Sequence, residues 1–180
     1  MLFARSTGLI RQTSEDAVVI IRNILVATDF GEPSGAALAY GRELARNYHA
    51  RLHVLHVIDD VMLRYTPEVG FVGTDLQRDL DALASRDLNA LITDDDRRTL
   101  DAVAIIDRGV NPAETIIRYA KTNAIDLIVT GTHGRGAVKR FIIGSVAERV
   151  VRNAPCPALT VHAHERDFIV PDALTLAASA

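Results

Sequence analysis

Residues 131–145 read GTHGRGAVKRFIIGS, and this glycine-rich segment decides the class of fold. The preceding run IDLIVT is short, apolar and rich in β-branched residues, which is typical of a strand buried on both faces. The following run VAERVVRN has the apolar spacing of a helix. Glycines between a buried strand and a helix have two explanations, turn geometry and a bound phosphate.

The same alternation of strand and helix extends outward in both directions. Strands are predicted at residues 23–29, 51–59, 101–107, 125–131 and 156–162. Helices are predicted to begin near Pro33, to span 76–91 and 145–153, and to begin at Pro112 with Asn111 as N-cap. Repeated strand–helix–strand units predict right-handed crossovers and a parallel sheet covered by helices on both faces.

Composition excludes several classes of protein. The 180 residues suffice for one domain with a full core, and a net charge of −3 gives no basic face for nucleic acid. A single cysteine excludes an internal disulfide framework and fits a reducing compartment. Because no run approaches the roughly 18 apolar residues of a membrane span, and no secretory signal is evident, we expect a cytoplasmic protein without membrane contact.

We expect three regions along the chain. Residues 1–21 lack a sustained period and are interpreted as an N-terminal extension, residues 22–162 as the domain, and residues 163–180 as a C-terminal tail. Open parallel sheets bind ligands beyond the carboxyl ends of their strands, where the winding reverses. The residues to inspect are therefore those at the strand ends, among them Thr28, Asp29, Gly109 and Gly131.

Residue by residue, the glycine segment can be explained without a ligand. A glycine after a strand permits a tight turn. Ser145 is predicted to be the N-cap of the last helix and to form a capping box with Glu148. Asp29 has a similar alternative, since an aspartate that ends a strand is often a turn or helix cap.

The arrangement as a whole favours a phosphate site. Gly131, Gly134 and Gly136 would let backbone amides face a phosphate chain, and Gly144 would let a ligand approach the helix N-terminus. Cationic side chains lie in the same segment, namely Arg135, Lys139 and Arg140. The segment matches neither the P-loop motif nor the Rossmann dinucleotide motif.

The spacing Gly131-x2-Gly134-x9-Gly144-Ser145 resembles the G-x2-G-x9-G-[ST] signature of the ATP-binding branch of the universal stress proteins. The stretches NILVATDFGEPSGAAL, LHVLHVID and NAPCPALTV also resemble that family's first, second and last strands, so the resemblance covers roughly residues 22–162. It implies a three-layer α/β fold of the adenine-nucleotide alpha-hydrolase type, with a five-stranded parallel sheet of order 3-2-1-4-5. It also implies a cleft that holds ATP, with any Mg²⁺ held by the phosphates, and a homodimer that pairs through the last strand.

The resemblance assigns roles to individual residues. Ala27 and Asp29 would lie at the adenosine end next to Thr28, and Val57 would contact adenine through its backbone. The remaining positions would follow the ribose and phosphates: Thr130, Gly131, Gly134, Arg135, Gly144, Ser145 and Val146, with Gly109 at the rim. His133 is interpreted as a turn residue beside the phosphates and not as an acid or base.

Other candidate residues are given structural interpretations. The acidic run Asp94-Asp95-Asp96 is expected to be the solvated end of the preceding long helix. His53 and His56 are three apart in a strand and should point to opposite faces, which argues against a zinc site. Cys156, between two prolines, is expected to be a packed, inert thiol.

Because the sequence names no convincing base near the third phosphate, we expect a nucleotide-binding regulatory module without rapid turnover. A slow ATPase, a protein that autophosphorylates on Ser145, and a sensor of AMP or cyclic AMP are the alternatives.

Overall fold

The computed structural model describes residues 19–58, 74–132 and 144–163. Five strands form one parallel sheet: β1 (Asn23–Thr28), β2 (Arg51–Ile58), β3 (Val103–Arg108), β4 (Leu127–Gly131) and β5 (Ala158–Val161). Five helices lie within these described residues: α1 (Glu32–Tyr48), α2 (Thr74–Leu91), α3 (Asp94–Thr99), α4 (Pro112–Thr122) and α5 (Ser145–Asn153). The strand order is β3-β2-β1-β4-β5 with parallel pairing throughout, which confirms the predicted fold.

Alternating side chains of the strands build two cores, one on each face of the sheet. On one face Ile24 and Val26 of β1 pack with Ala37 and Leu38 of α1 and with Leu88 of α2. On the other face the neighbouring β1 residues Leu25 and Ala27 pack with residues of α4 and α5. Because successive strand residues point to opposite faces, each strand contributes side chains to both cores. The strands therefore appear in the sequence as continuous apolar runs.

The strand bounds differ from the prediction by at most two residues. β1 stops at Thr28, before Asp29, and β3 begins at Val103 and not at 101. Asp101 has a φ of 46°, a left-handed conformation that cannot continue a strand. β5 begins at Ala158, directly after Pro157, which has no N–H to donate to the sheet.

The prediction that the acidic run is the solvated end of the long helix is also wrong in part. The long helix α2 ends at Leu91, and Asp94-Asp95-Asp96 form the first turn of the separate helix α3. Asp94 and Asp95 are exposed as expected, but Asp96 is 1% exposed. It completes a capping box with Thr93 and accepts hydrogen bonds from Arg42 Nε at 3.0 Å. Burial alone would raise the pKa of Asp96, but the hydrogen bonds from Arg42 and Thr93 outweigh it, so this pKa lies below its ordinary value.

The two strand histidines face opposite sides of the sheet, as predicted. The His53 ring shares a 2.9 Å hydrogen bond through Nδ1 with the hydroxyl of Tyr119 on α4. The ring of His56 instead packs on Phe30, with 4.3 Å between ring centroids. Among the described residues no group of three or more His, Cys, Asp or Glu side chains could hold a metal ion.

His53 should make stability depend on pH. The residue is 5% exposed, and burial lowers its pKa below the ordinary value of 6.5, with the charge of Arg51 adding to the effect. Because the unfolded chain then binds a proton more readily than the folded one, this stability is present above pH 6.5 and lost as pH falls through the lower folded pKa. We expect the free energy of unfolding to fall between pH 7 and pH 5. In His53→Asn the free energy of unfolding should change less steeply with pH.

The control for this titration is His49→Asn, since His49 is exposed and left-handed with φ of 53°, a conformation that Asn tolerates. Urea unfolding at several pH values measures the slopes. Equal slopes in wild type and His53→Asn would contradict the assignment.

Cys156 lies between α5 and β5 and packs partly against the second core, in agreement with the packed thiol that the sequence predicts. Burial raises the pKa of this thiol, and the charge of Asp126 adds to the effect. None of the helices in the described ranges combines the length and apolar character that a bilayer crossing requires.

Candidate functional site

A cavity of about 370 Å³ opens at the carboxyl ends of β1 and β4, between α1 on one side and α4 and α5 on the other. From β1 the sheet continues to β2 in one direction and to β4 in the other, so the cavity lies where the winding reverses. Its volume is within the range of roughly 300–1,000 Å³ that small-molecule sites occupy. The sheet therefore places a ligand-sized cavity where the strand alternation predicted one.

Most of the predicted site residues that the structure describes meet in this cavity. Its lining includes Ala27, Thr28, Asp29, Val57, Thr130, Gly131, Gly144, Ser145 and Val146. Gly109 is not part of the lining, and His133, Gly134 and Arg135 lie outside the described residues. The two ends of the glycine segment thus come together with the end of β1, which is more than 100 residues away along the chain.

Gly109 has a packing role instead. A Cβ atom at this position would lie 2.3 Å from Thr115 Oγ1, on the first turn of α4. The glycine therefore allows the end of β3 to approach α4 closely.

The lining also contains residues that the sequence interpretation did not select: Ser34, Leu55, His56, Pro112, Ile116, Thr132 and Ala147. Leu55 could have been found, because it lies two residues before Val57 in the same strand and so shares its face. The place of Ile116 in the cavity depends on how α4 packs on the sheet.

Hydrogen bonds fix the turn between β1 and α1. The Asp29 carboxylate accepts from the Gly31 N–H at 3.0 Å, so the turn-cap role that the sequence left open is present. The Thr28 and Ser34 hydroxyls lie 3.1 Å apart, and Ser34 Oγ donates to the Gly31 carbonyl at 2.9 Å. Asp29 nevertheless lines the cavity, so the cap and a ligand contact are compatible.

His56 supports the same turn from the neighbouring strand. Its Nδ1 lies 2.8 Å from the Thr28 carbonyl oxygen, and because a carbonyl only accepts, Nδ1 is the donor. Phe30, against which the ring packs, has a φ of 63°, which is uncommon for a residue other than glycine. The end of β1 is thus held in a tight turn by contacts from β2.

Gly131 is required by packing and not by backbone conformation. It is the last residue of β4 and does not have a positive φ. A Cβ atom at this position would lie 2.7 Å from the backbone carbon of Pro33, in the first turn of α1. The first glycine of the motif therefore lets α1 pack directly against the end of β4, beside the cavity.

The capping box predicted at the N-terminus of α5 is not present in the structure. Gly144 is the N-cap and Ser145 is the first helical residue, and within the described part of the chain no side chain caps this helix. Glu148 lies four residues before Arg152 and accepts a 3.0 Å hydrogen bond from its Nε instead. The predicted N-cap was wrong by one residue, and the predicted capping box is not formed. Ser145 is exposed and lies beside the uncapped amide groups at the cavity wall.

The features combine into a recognisable class of site. An apolar pocket lies at the switch point of a doubly wound parallel sheet, and one wall is the positive, donor-rich N-terminus of a helix. This combination defines an α/β protein with a site suited to an anionic ligand that carries an apolar part.

Comparison with known proteins gives the family. The sequence profile described as "Universal stress protein family" matches residues 21–162. The universal stress protein MJ0531 of Methanocaldococcus jannaschii is 30% identical over 154 residues, covering 79% of this chain and 82% of that protein. The chain belongs to the universal stress protein family.

Solved structures agree with this assignment. The universal stress protein UspA from Lactobacillus plantarum superposes with a TM-score of 0.66 at 30% identity, covering 80% of this chain and 99% of that one. Two structures of lower identity share the fold and contain nucleotides. One is a universal stress protein in complex with cAMP, at 20% identity and a TM-score of 0.56 over 81% of this chain and 99% of that one. The other is the universal stress protein from Archaeoglobus fulgidus in complex with dAMP, at 21% identity and a TM-score of 0.56, covering 79% of this chain and 99% of that one.

Proposed function

We propose that this chain binds ATP in the switch-point cavity and acts as a nucleotide-dependent regulatory module of a stress response. The observation that carries the proposal is the N-terminus of α5, which opens on the cavity without a side-chain cap. The first-turn amides of a helix have no partner within the helix and point outward along its axis. An anion placed there is stabilised by these donors and by the helix dipole.

The opposite part of the cavity suits an adenosine. Leu55 and Val57 of β2 provide an apolar floor, and Ile116 and Pro112 of α4 provide an apolar wall. Purine rings bury a large apolar surface, and the Asp29 carboxylate at the end of β1 is an acceptor for a ribose hydroxyl or a base amine. The neighbours that hold cAMP and dAMP support an adenine nucleotide, and the glycine spacing of residues 131–145 supports a longer phosphate chain than theirs.

The cavity favours binding over turnover. Asp29 is the single carboxylate among the described lining residues, and it already accepts a hydrogen bond from the Gly31 N–H. Hydrolysis needs a positioned water and a group that orients it near the third phosphate. We therefore propose a binder, with Mg²⁺ held by the phosphates of the nucleotide. As part of the same proposal, the protein is cytoplasmic and pairs through β5, an edge strand that exposes Leu159.

Purification without added nucleotide tests this function. Mass spectrometry of the protein should find intact ATP bound, and added ATP should raise the thermal midpoint more than AMP or cyclic AMP does. At a hundredfold excess over the dissociation constant, the ligand should stabilise the fold by about 2.7 kcal/mol.

Phosphate release over one hour separates a binder from an enzyme. Steady release that Gly144→Val abolishes would establish the slow ATPase instead. Protein that carries no nucleotide and shows no thermal shift with any of the three would refute the nucleotide-binding proposal. Gly144 lines the cavity and has φ −60° and ψ 150°, which valine also adopts, so the substitution adds a side chain there without backbone strain.

A further inference from the structure

Thr132 connects three elements at the edge of the cavity. It follows β4, is 1% exposed and lines the cavity. Its N–H donates to the Val161 carbonyl of β5 at 3.0 Å, and its own carbonyl accepts from the N–H of Gly144, the N-cap of α5. One residue therefore links the end of β4 to β5 and to the helix N-terminus that faces the cavity.

The side chain of Thr132 makes a further bond, to His162. Its Oγ1 lies 2.7 Å from His162 Nδ1, across 30 positions of sequence. His162 directly follows β5 and does not line the cavity itself. Because a threonine carries its hydroxyl and methyl groups on the same carbon, the bond that holds the hydroxyl also fixes where the methyl group lies.

We propose that His162 is a positioning residue of the nucleotide site. By holding the Thr132 hydroxyl, it selects the Thr132 rotamer at the cavity wall and steadies the carbonyl that binds Gly144. The amide donors of α5 begin immediately after Gly144, so a shift of Thr132 is passed to the proposed phosphate-binding groups. Sites that bind tightly need their contacting groups held in place by surrounding residues, and His162 supplies that support from outside the glycine motif. The inference rests on the proposed nucleotide function.

Two substitutions and a control test the role. In His162→Leu the bond to Thr132 is lost, whereas in His162→Asn the amide places a polar atom near the position of Nδ1. We expect the dissociation constant for ATP, measured by calorimetry, to rise about fivefold in His162→Leu, the change that corresponds to one net hydrogen bond. His162→Asn should restore most of the affinity. Ile92→Ala, in the core on the side of α1 and α2 and away from the cavity, is the control for a simple loss of stability.

Amide hydrogen exchange provides a readout that needs no nucleotide. In His162→Leu the Thr132 and Gly144 amides should exchange faster, while the Val26 amide of central strand β1 should keep its wild-type rate. If wild type binds no ATP but these amides still respond, the proposed function is wrong and the structural link from His162 is retained. Unchanged exchange and affinity in His162→Leu would overturn the inference. An affinity loss that Ile92→Ala reproduces at equal stability would overturn it as well.

Discussion

Ser145→Glu is expected to weaken ATP binding strongly and to leave the fold intact. A carboxylate at the first position of α5 interacts favourably with the helix dipole, so the helix itself should be stabilised slightly. The same carboxylate would lie beside the phosphates, because Ser145 lines the cavity at the uncapped helix N-terminus. Two unit charges about 4 Å apart near a protein surface repel by roughly 4 kcal/mol. Rotation of the Glu side chain relieves part of this repulsion. We therefore expect the affinity for ATP to fall by at least about a hundredfold, which corresponds to about 2.7 kcal/mol.

Two matched variants make this result specific. Ser145→Ala removes only the hydroxyl, and we expect a loss of about one hydrogen bond, or roughly fivefold in affinity. Ala82→Glu adds the same charge on an exposed position of α2, away from the cavity, and should bind like wild type. Calorimetric titration with ATP gives the affinities, and circular dichroism checks the fold. If Ser145→Glu binds as Ser145→Ala does, the phosphates do not lie at α5.

Asp96→Ala is expected to lower the free energy of unfolding by more than the other substitutions named above, apart from the core control Ile92→Ala. The Asp96 side chain is 2% exposed and forms a salt bridge of 2.9 Å with Arg42, whose side chain is 23% exposed. Removing one partner of a buried pair leaves the other charge uncompensated, which typically costs about 3–5 kcal/mol. Loss of the Thr93 capping box adds to this effect. Because Arg42 keeps some access to water, we expect about 3 kcal/mol, a large fraction of the 5–15 kcal/mol that stabilises a typical domain.

The control is Asp95→Ala in the same first turn. The Asp95 pair with Arg98 has side chains that are 52% and 79% exposed, and exposed pairs of this kind contribute at most about 1 kcal/mol. Urea unfolding of both variants measures the difference. Combining Asp96→Ala with Arg42→Met should recover part of the lost stability, since no unpaired charge remains. A loss in Asp96→Ala no greater than that in Asp95→Ala would contradict the buried role.

The sequence by itself determined the fold and predicted the place of the cavity. Apolar runs such as 23–29 and 125–131 identify strands because the period of the side chains is a local property of the chain. Asn111 and Pro112 begin α4 as predicted, because N-cap and first-turn preferences depend on the residue and its immediate neighbours. Once the strands are parallel and alternate with helices, the ligand edge follows from topology, and Asp29, Thr130 and Ser145 meet there.

Only the tertiary structure decided what individual residues do at that edge. Asp96 looks solvated in an acidic run, but Arg42, 54 positions earlier, makes it a buried partner. Gly131 looks like a turn residue, but the backbone at Pro33 forbids a side chain there. The bond between Thr132 and His162 also joins residues that are distant in sequence. These roles depend on packing between elements far apart along the chain, whereas local pattern and capping preferences report only on near neighbours.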